Sequence, residues 1–199
     1  MYSYLLIAIL VIRFLKNNYV LTENAINLNS TILFFDFNYS NQSVDIELPN
    51  KNIITIDPET FNGFTNLKTL NLDYNPLIRF NLSTFIELTN LEVLSLASTL
   101  AHNNTNNISS VVFNGLKSLK SVNLASNNIK KLETSLFNGV LSLKVLDLKY
   151  NQLTEIPVNL FSKLSKLEQL ILQFNFISYL NSSHFEGLES LQVLDLSIK

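Results

Sequence analysis

Between Leu143 and Lys166 the chain reads LKVLDLKYNQLTEIPVNLFSKLSK, with Leu143, Leu146, Leu148, Asn151, Leu153, Ile156, Phe161 and Leu164 at fixed offsets. The next segment repeats that spacing as Leu167, Leu170, Leu172, Asn175, Ile177, Leu180, Phe185 and Leu188. A short apolar unit recurring at a constant period restricts the chain to a repeat architecture, because one unit cannot bury its hydrophobic face alone and must stack on its neighbours. Length then counts coils rather than globular cores, so the 199 residues read as one elongated domain.

The register becomes readable at Ser43, where Ile46, Leu48, Ile53, Ile56, Phe61 and Phe64 fit the pattern with Lys51 in the Asn place. The following unit runs Leu67, Leu70, Leu72, Asn75, Leu77, Phe80, Phe85 and Leu88, and further units start at Leu91, Leu119, Leu143, Leu167 and Leu191. From Leu67 onward the starts differ by 24, 28, 24, 24 and 24 residues. The long unit places Thr99 where its neighbours have Asn and carries the polar stretch ASTLAHNNTNNISSVV. A surface loop lengthens at small entropic cost, and this composition suits hydrogen bonding or a glycan better than a hydrophobic anchor.

Within each unit the L-x-L pair predicts a short strand with both leucines on one side, since side chains alternate at period two. Stacked units then form a parallel sheet over a continuous core. Asn75, Asn127, Asn151 and Asn175 follow the strand where the chain turns inward, and an amide side chain has the donors and acceptor to satisfy buried backbone groups there. Phe61, Phe85, Phe113, Phe137, Phe161 and Phe185 form a second apolar column on the far side of the core. Gly63, Gly115, Gly139 and Gly187 each follow a Phe by two places, the expected position of a turn that needs a permissive φ.

The pattern L-x-x-L-x-L-x-x-N-x-[LI]-x-x-[LIF]-x-x-x-x-F-x-x-[LV] resembles the 24-residue leucine-rich repeat of animal Toll-like receptor ectodomains and related cell-surface proteins, over residues 43–199. The resemblance implies an α/β repeat fold: a curved leucine-rich-repeat solenoid with a parallel sheet on the concave face and loops and short helical turns on the convex face. It also implies a non-catalytic recognition module, receptor-like and of innate immune or cell adhesion type. Ectodomains of this kind usually carry Cys-containing caps, whereas this sequence has no cysteine, which excludes disulfides, thiolate zinc sites and a Cys nucleophile. Leu191, Leu194 and Leu196 should form a strand with nothing stacked beyond it, to be covered by a further C-terminal region or by self-association.

Met1–Lys16 reads MYSYLLIAILVIRFLK, whose apolar run Leu5–Ile12 is too short to span a bilayer but has the length of a signal-peptide core. Residues 1–22 are therefore expected to be a signal peptide or an N-terminal apolar segment, the alternative being an element that caps the solenoid. Residues 23–42 are expected to form the N-terminal cap, with TILFFDF as a strand, and 43–199 the repeats. The sequon N-x-[ST] occurs at Asn29, Asn38, Asn41, Asn81, Asn103, Asn107 and Asn181. The last four fall between the L-x-L strands, where a glycan would not block stacking. Together with the apolar N-terminus they point to a secreted protein or an ectodomain of a membrane protein; the alternative is an intracellular scaffold or regulatory repeat protein.

No phosphate-binding, metalloprotease, hydrolase or calcium-loop motif is present, and His102 and His184 read as solvated loop residues without a metal-ligand neighbour. We therefore expect no enzyme, no cofactor and no metal. Function must then sit on the outward-facing strand positions of the concave face. Those positions hold Asp45, Glu47, Asp73, Asp147 and Asp195 against Lys149, in a chain of net charge -2 without a basic block. Such a surface fits a protein or glycoconjugate ligand and not nucleic acid. The candidate partner face comprises Asp73, Tyr74, Asp147, Lys149, Tyr150, Gln169, Ile171, Gln173 and Phe174, with Tyr150, Ile171 and Phe174 at its centre because exposed aromatics beside apolar neighbours have hot-spot composition.

Overall fold

The computed structural model describes residues 25–80, 82–100, 107–108 and 110–197. The apolar segment at residues 1–22, the sequon residues Asn81 and Asn103, the side chain of Asn107 and His102 lie outside these residues. Seven strands form one parallel sheet in the order β12-β11-β10-β8-β6-β4-β2. They are β2 (Asp45–Glu47), β4 (Thr69–Asn71), β6 (Val93–Ser95), β8 (Ser121–Asn123), β10 (Val145–Asp147), β11 (Gln169–Ile171) and β12 (Val193–Asp195). The register joins Ile46, Leu70, Leu94, Val122, Leu146, Leu170 and Leu194 in a single row. In β4, β6, β8 and β10 the middle residue is buried and its two neighbours are half-buried, as alternation requires.

Smaller sheets lie outside this one: β1 (Ile26–Leu28), β3 (Ile53–Ile56) and β5 (Arg79–Phe80) pair in parallel, as do β7 (Asn107–Ile108) and β9 (Lys131–Leu132). Single 3-10 turns at Leu82–Phe85, Ser110–Phe113 and Ser182–Phe185 close three of the coils on the far side from the main sheet. The assembly is a parallel-sheet solenoid, and the fold expected from the repeat is the one found.

A ladder of side-chain amides holds the turns after the strands. Asn151 accepts from the backbone N–H of Asn127 and of Ile129, both at 3.0 Å, and donates to the carbonyls of Leu124 at 2.9 Å and Leu148 at 3.0 Å. Asn75 does the same one repeat back to Lys51 and Ile53, and donates to Leu48 and Leu72. Thr99 supplies only half of this set. Its hydroxyl donates to the Leu72 carbonyl at 2.9 Å, while the Leu77 N–H donates to backbone carbonyls, of Asn75 at 2.9 Å and of Thr99 at 3.1 Å. A backbone acceptor thus replaces the missing amide oxygen, and the coil keeps its path despite the substitution.

The phenylalanine column is equally regular. Phe61, Phe85, Phe113, Phe137 and Phe161 are fully buried, and ring centroids lie 5.9 Å apart for Phe61 and Phe85, 5.6 Å for Phe113 and Phe137 and 6.3 Å for Phe137 and Phe161. Gly115 needs its missing side chain twice over: φ is +85°, and a Cβ would stand 2.6 Å from the carbonyl oxygen of Ile86 in the preceding coil. Gly139 does not use that freedom: its φ is not positive, and a Cβ there would stand 3.4 Å from the Phe113 carbonyl oxygen.

The N-terminal segment corrects the strand expected over TILFFDF. Ser30–Phe35 is a helix, α1, whose N-cap Asn29 accepts from the Ile32 N–H at 2.9 Å. Capping by Asn outweighs the β propensity of the aromatic run: Leu33 is buried and Ile32 packs partly against the core, while Phe34 and Phe35 face solvent. The strand in this segment is β1, four residues earlier than Ser30 and parallel to β3. At the opposite end, Leu194 is 39% exposed whereas Leu146 and Leu170 in the same row are fully buried.

Candidate recognition face

The outward residues of the main sheet are tied to one another before any ligand is considered. Asp73 Oδ1 accepts from the Ser95 hydroxyl and from the Ala97 N–H, both at 2.7 Å, and Asn123 donates to Ser95 Oγ at 3.0 Å. Asp147 accepts from the Lys149 N–H at 2.9 Å and pairs with Lys149 Nζ at 3.1 Å. The same carboxylate-to-N–H bond recurs at Asp195, where Ser197 donates through its N–H and its hydroxyl, and those two bonds hold the Asp195 carboxyl below the usual range. Lys149, the base in this set, is thereby neutralised by its own repeat.

Three residues past the strand the backbone turns left-handed in six successive coils: φ is 55° at Asn50, 58° at Tyr74, 52° at Ser98, 59° at Ser126, 54° at Tyr150 and 56° at Phe174. Each of these N–H groups donates to the next coil, Tyr150 to the Gln173 carbonyl at 2.9 Å for example, so the conformation belongs to the solenoid and not to the side chain. Asn tolerates that region, whereas a bulky aromatic is strained in it. Tyr150 and Phe174 nevertheless occupy it on adjacent coils, with rings stacked at 4.5 Å and 14° and Tyr150 52% exposed.

The structure brings most of the expected face together. Asp147 lies opposite Ile171 and Val145 opposite Gln169 in the β10–β11 pair, so Asp147, Lys149, Tyr150, Gln169, Ile171, Gln173 and Phe174 form one contiguous patch. Asp73 and Tyr74 do not belong to it. They follow β4, with β6 and β8 between that strand and β10, and the coils flanking Tyr74 present Asn50 and Ser98 at the equivalent place.

Two features escaped the sequence reading. The second place of successive repeats builds a charge ladder, in which Glu92 meets Lys120 at 2.6 Å and Lys68 at 3.6 Å, and Lys144 meets Glu168 at 2.7 Å. The Lys120 hydrogen bond, reinforced by the charges of Lys120 and Lys68, holds the Glu92 carboxyl below its usual range. Aligning the second places in one column would have revealed it. The other feature is His184, which is buried rather than solvated: its Nδ1 accepts from the Asn181 N–H at 3.1 Å in a capping box.

Among the sequon residues, Asn29 is half-buried and caps α1, Asn38 and Asn41 are exposed, and Asn181 is exposed at the N-cap of the Ser182–Phe185 turn. No group of three or more His, Cys, Asp or Glu side chains able to hold a metal occurs among the described residues, and no helix there is long and apolar enough to cross a membrane.

A leucine-rich repeat family model matches residues 44–100, 99–153, 117–177 and 142–197, and the chain belongs to that family. No curated protein matches the sequence. Among solved structures the chain is similar to that described as the crystal structure of a TLR13–ssRNA13 complex, with a TM-score of 0.74 and 32% identity over 86% of this chain. The chain resembles part of a Toll-like receptor ectodomain and spans 23% of that structure's chain.

Proposed function

We propose that this chain is a non-catalytic recognition module of a secreted or cell-surface protein, receptor-like, in which the patch on β10 and β11 binds a protein or glycoconjugate. The observation that carries this reading is the Tyr150–Phe174 stack. Two aromatic residues stand in a backbone region that disfavours them, at about 1–2 kcal/mol per residue, and Tyr150 is half-exposed, so burial does not offset the strain. Stacking returns about 0.5–1.5 kcal/mol. A surface that holds rigid aromatics against backbone preference, ringed by Gln169, Ile171 and Gln173, has the composition of an interface hot spot with a polar rim.

The similar structure is a complex with single-stranded RNA, which makes nucleic acid the reading to exclude. Stacked aromatics do suit bases, but phosphate binding needs unpaired cations, and Lys149 is paired with Asp147 while Asp73, Asp147 and Asp195 face outward. Binding of a single-stranded RNA oligonucleotide at physiological salt, lost in Tyr150→Asn, would replace the proposed ligand class. The compartment is tested by expressing the full chain in animal cells. The extracellular reading expects it in the medium or on the surface, and a cytosolic product would favour the intracellular scaffold.

A further inference from the structure

The sequons are chemically equivalent in sequence, but the fold does not treat them equally. An N-linked glycan replaces one hydrogen of the asparagine Nδ2, so the attached residue keeps its carbonyl oxygen as acceptor and one N–H as donor. Asn181 already uses that reduced set. Its Oδ1 accepts from the Ser183 N–H at 3.1 Å and from the Ser183 hydroxyl at 2.6 Å, and its Nδ2 donates to the Tyr179 hydroxyl at 3.1 Å. A sugar attached in place of the other Nδ2 hydrogen leaves all three bonds intact, and the side chain is exposed. Asn29, by contrast, is half-buried and lines a cleft with Asp57, Pro58, Glu59 and Thr60.

Tyr179 supplies the second observation. Its ring is 66% exposed, meets His184 edge-on at 6.0 Å, and stands two residues before the sequon with its hydroxyl on the acceptor amide. An aromatic face of that size held beside a glycosylation amide offers a surface on which the apolar face of a pyranose can lie.

We propose that Asn181 carries an N-linked glycan whose first sugar packs on the Tyr179 ring. In the transfer, Asn181 Nδ2 bonds to the anomeric carbon of a lipid-pyrophosphate-linked oligosaccharide. The bond from that carbon to the pyrophosphate oxygen breaks, the lipid pyrophosphate leaves, and the proton lost from Nδ2 passes to a carboxylate of the transferase.

This inference rests on the extracellular reading, and the experiment separates the two. The full chain is produced in animal cells and its peptides mapped by mass spectrometry before and after removal of N-glycans, alongside Ser183→Ala, Asn181→Gln and Tyr179→Ala. Ser183→Ala destroys the sequon yet keeps the Asn181 cap on the residue 183 N–H, so it guards against misfolding of Asn181→Gln. The expected result is a glycan on the Asn181 peptide, its loss in Ser183→Ala and Asn181→Gln, and a fall in melting temperature on trimming the sugar that Tyr179→Ala abolishes. Glycans at other sequons with Asn181 bare would overturn the inference and leave the extracellular reading standing. No glycan at any sequon would overturn both, and a melting shift unchanged in Tyr179→Ala would overturn the packing on that ring.

Discussion

The asparagine after each strand shows how one side chain can fix a backbone path. Asn151 serves two N–H donors of the previous coil and carbonyls of that coil and its own, all buried. Asn151→Ala leaves these groups unpaired, at about 1–3 kcal/mol for each one stranded, and we expect a loss of about 3 kcal/mol or more in denaturant unfolding. Thr99 shows that a hydroxyl can take over the donor half. Asn151→Thr should therefore fall between wild type and Asn151→Ala, and equal losses for the two substitutions would contradict the division of labour. This part of the structure was legible in sequence because the Asn recurs at one place. The burial of His184 was not, since a single residue has no period and its capping partner is set by the local turn.

At the scale of the element, rows running across coils matter more than any one coil. Phe137 packs between Phe113 and Phe161, and Phe137→Ala should cost about 3–5 kcal/mol, whereas Phe185→Ala should cost less because Phe185 is only partly buried. Equal losses would show that the column does not act as a stack. The charge row gives a pH signature. A carboxyl whose folded pKa is depressed adds stability above its unfolded value and loses it as pH falls through the folded one, so the Glu92 contribution is present at neutral pH and vanishes in acid. The melting difference between wild type and Glu92→Gln should accordingly shrink on acidification and with added salt, and it is small because the ion pairs lie at the solvent-accessible surface. A difference that grew in acid would contradict the sign. The helix at Ser30–Phe35 was misread as a strand because its β-branched and aromatic content was weighed ahead of Asn29, the capping residue that decides it.

For the whole molecule, periodicity made the solenoid readable and left the ligand unread. Leucine, asparagine and phenylalanine columns specify the coil and recur; Tyr150, Ile171 and Phe174 do not. Repeat spacing was enough to set those three side by side, and the strand order adds that Asp73 and Tyr74 stand apart from them. Left-handed backbone at Tyr150 and Phe174 was invisible in sequence, since the equivalent places hold Asn50, Tyr74, Ser98 and Ser126, a mixture that signals no common conformation. That geometry supplies the central test, because asparagine fits the left-handed region and removes the ring. The full chain and its Tyr150→Asn/Phe174→Asn variant are immobilised at equal density and exposed to solubilised cell-surface proteins and to serum, with melting curves taken in parallel. We expect the variant to melt no lower than wild type and to lose proteins that wild type retains. Retention of the same proteins by a variant that folds equally well would contradict it.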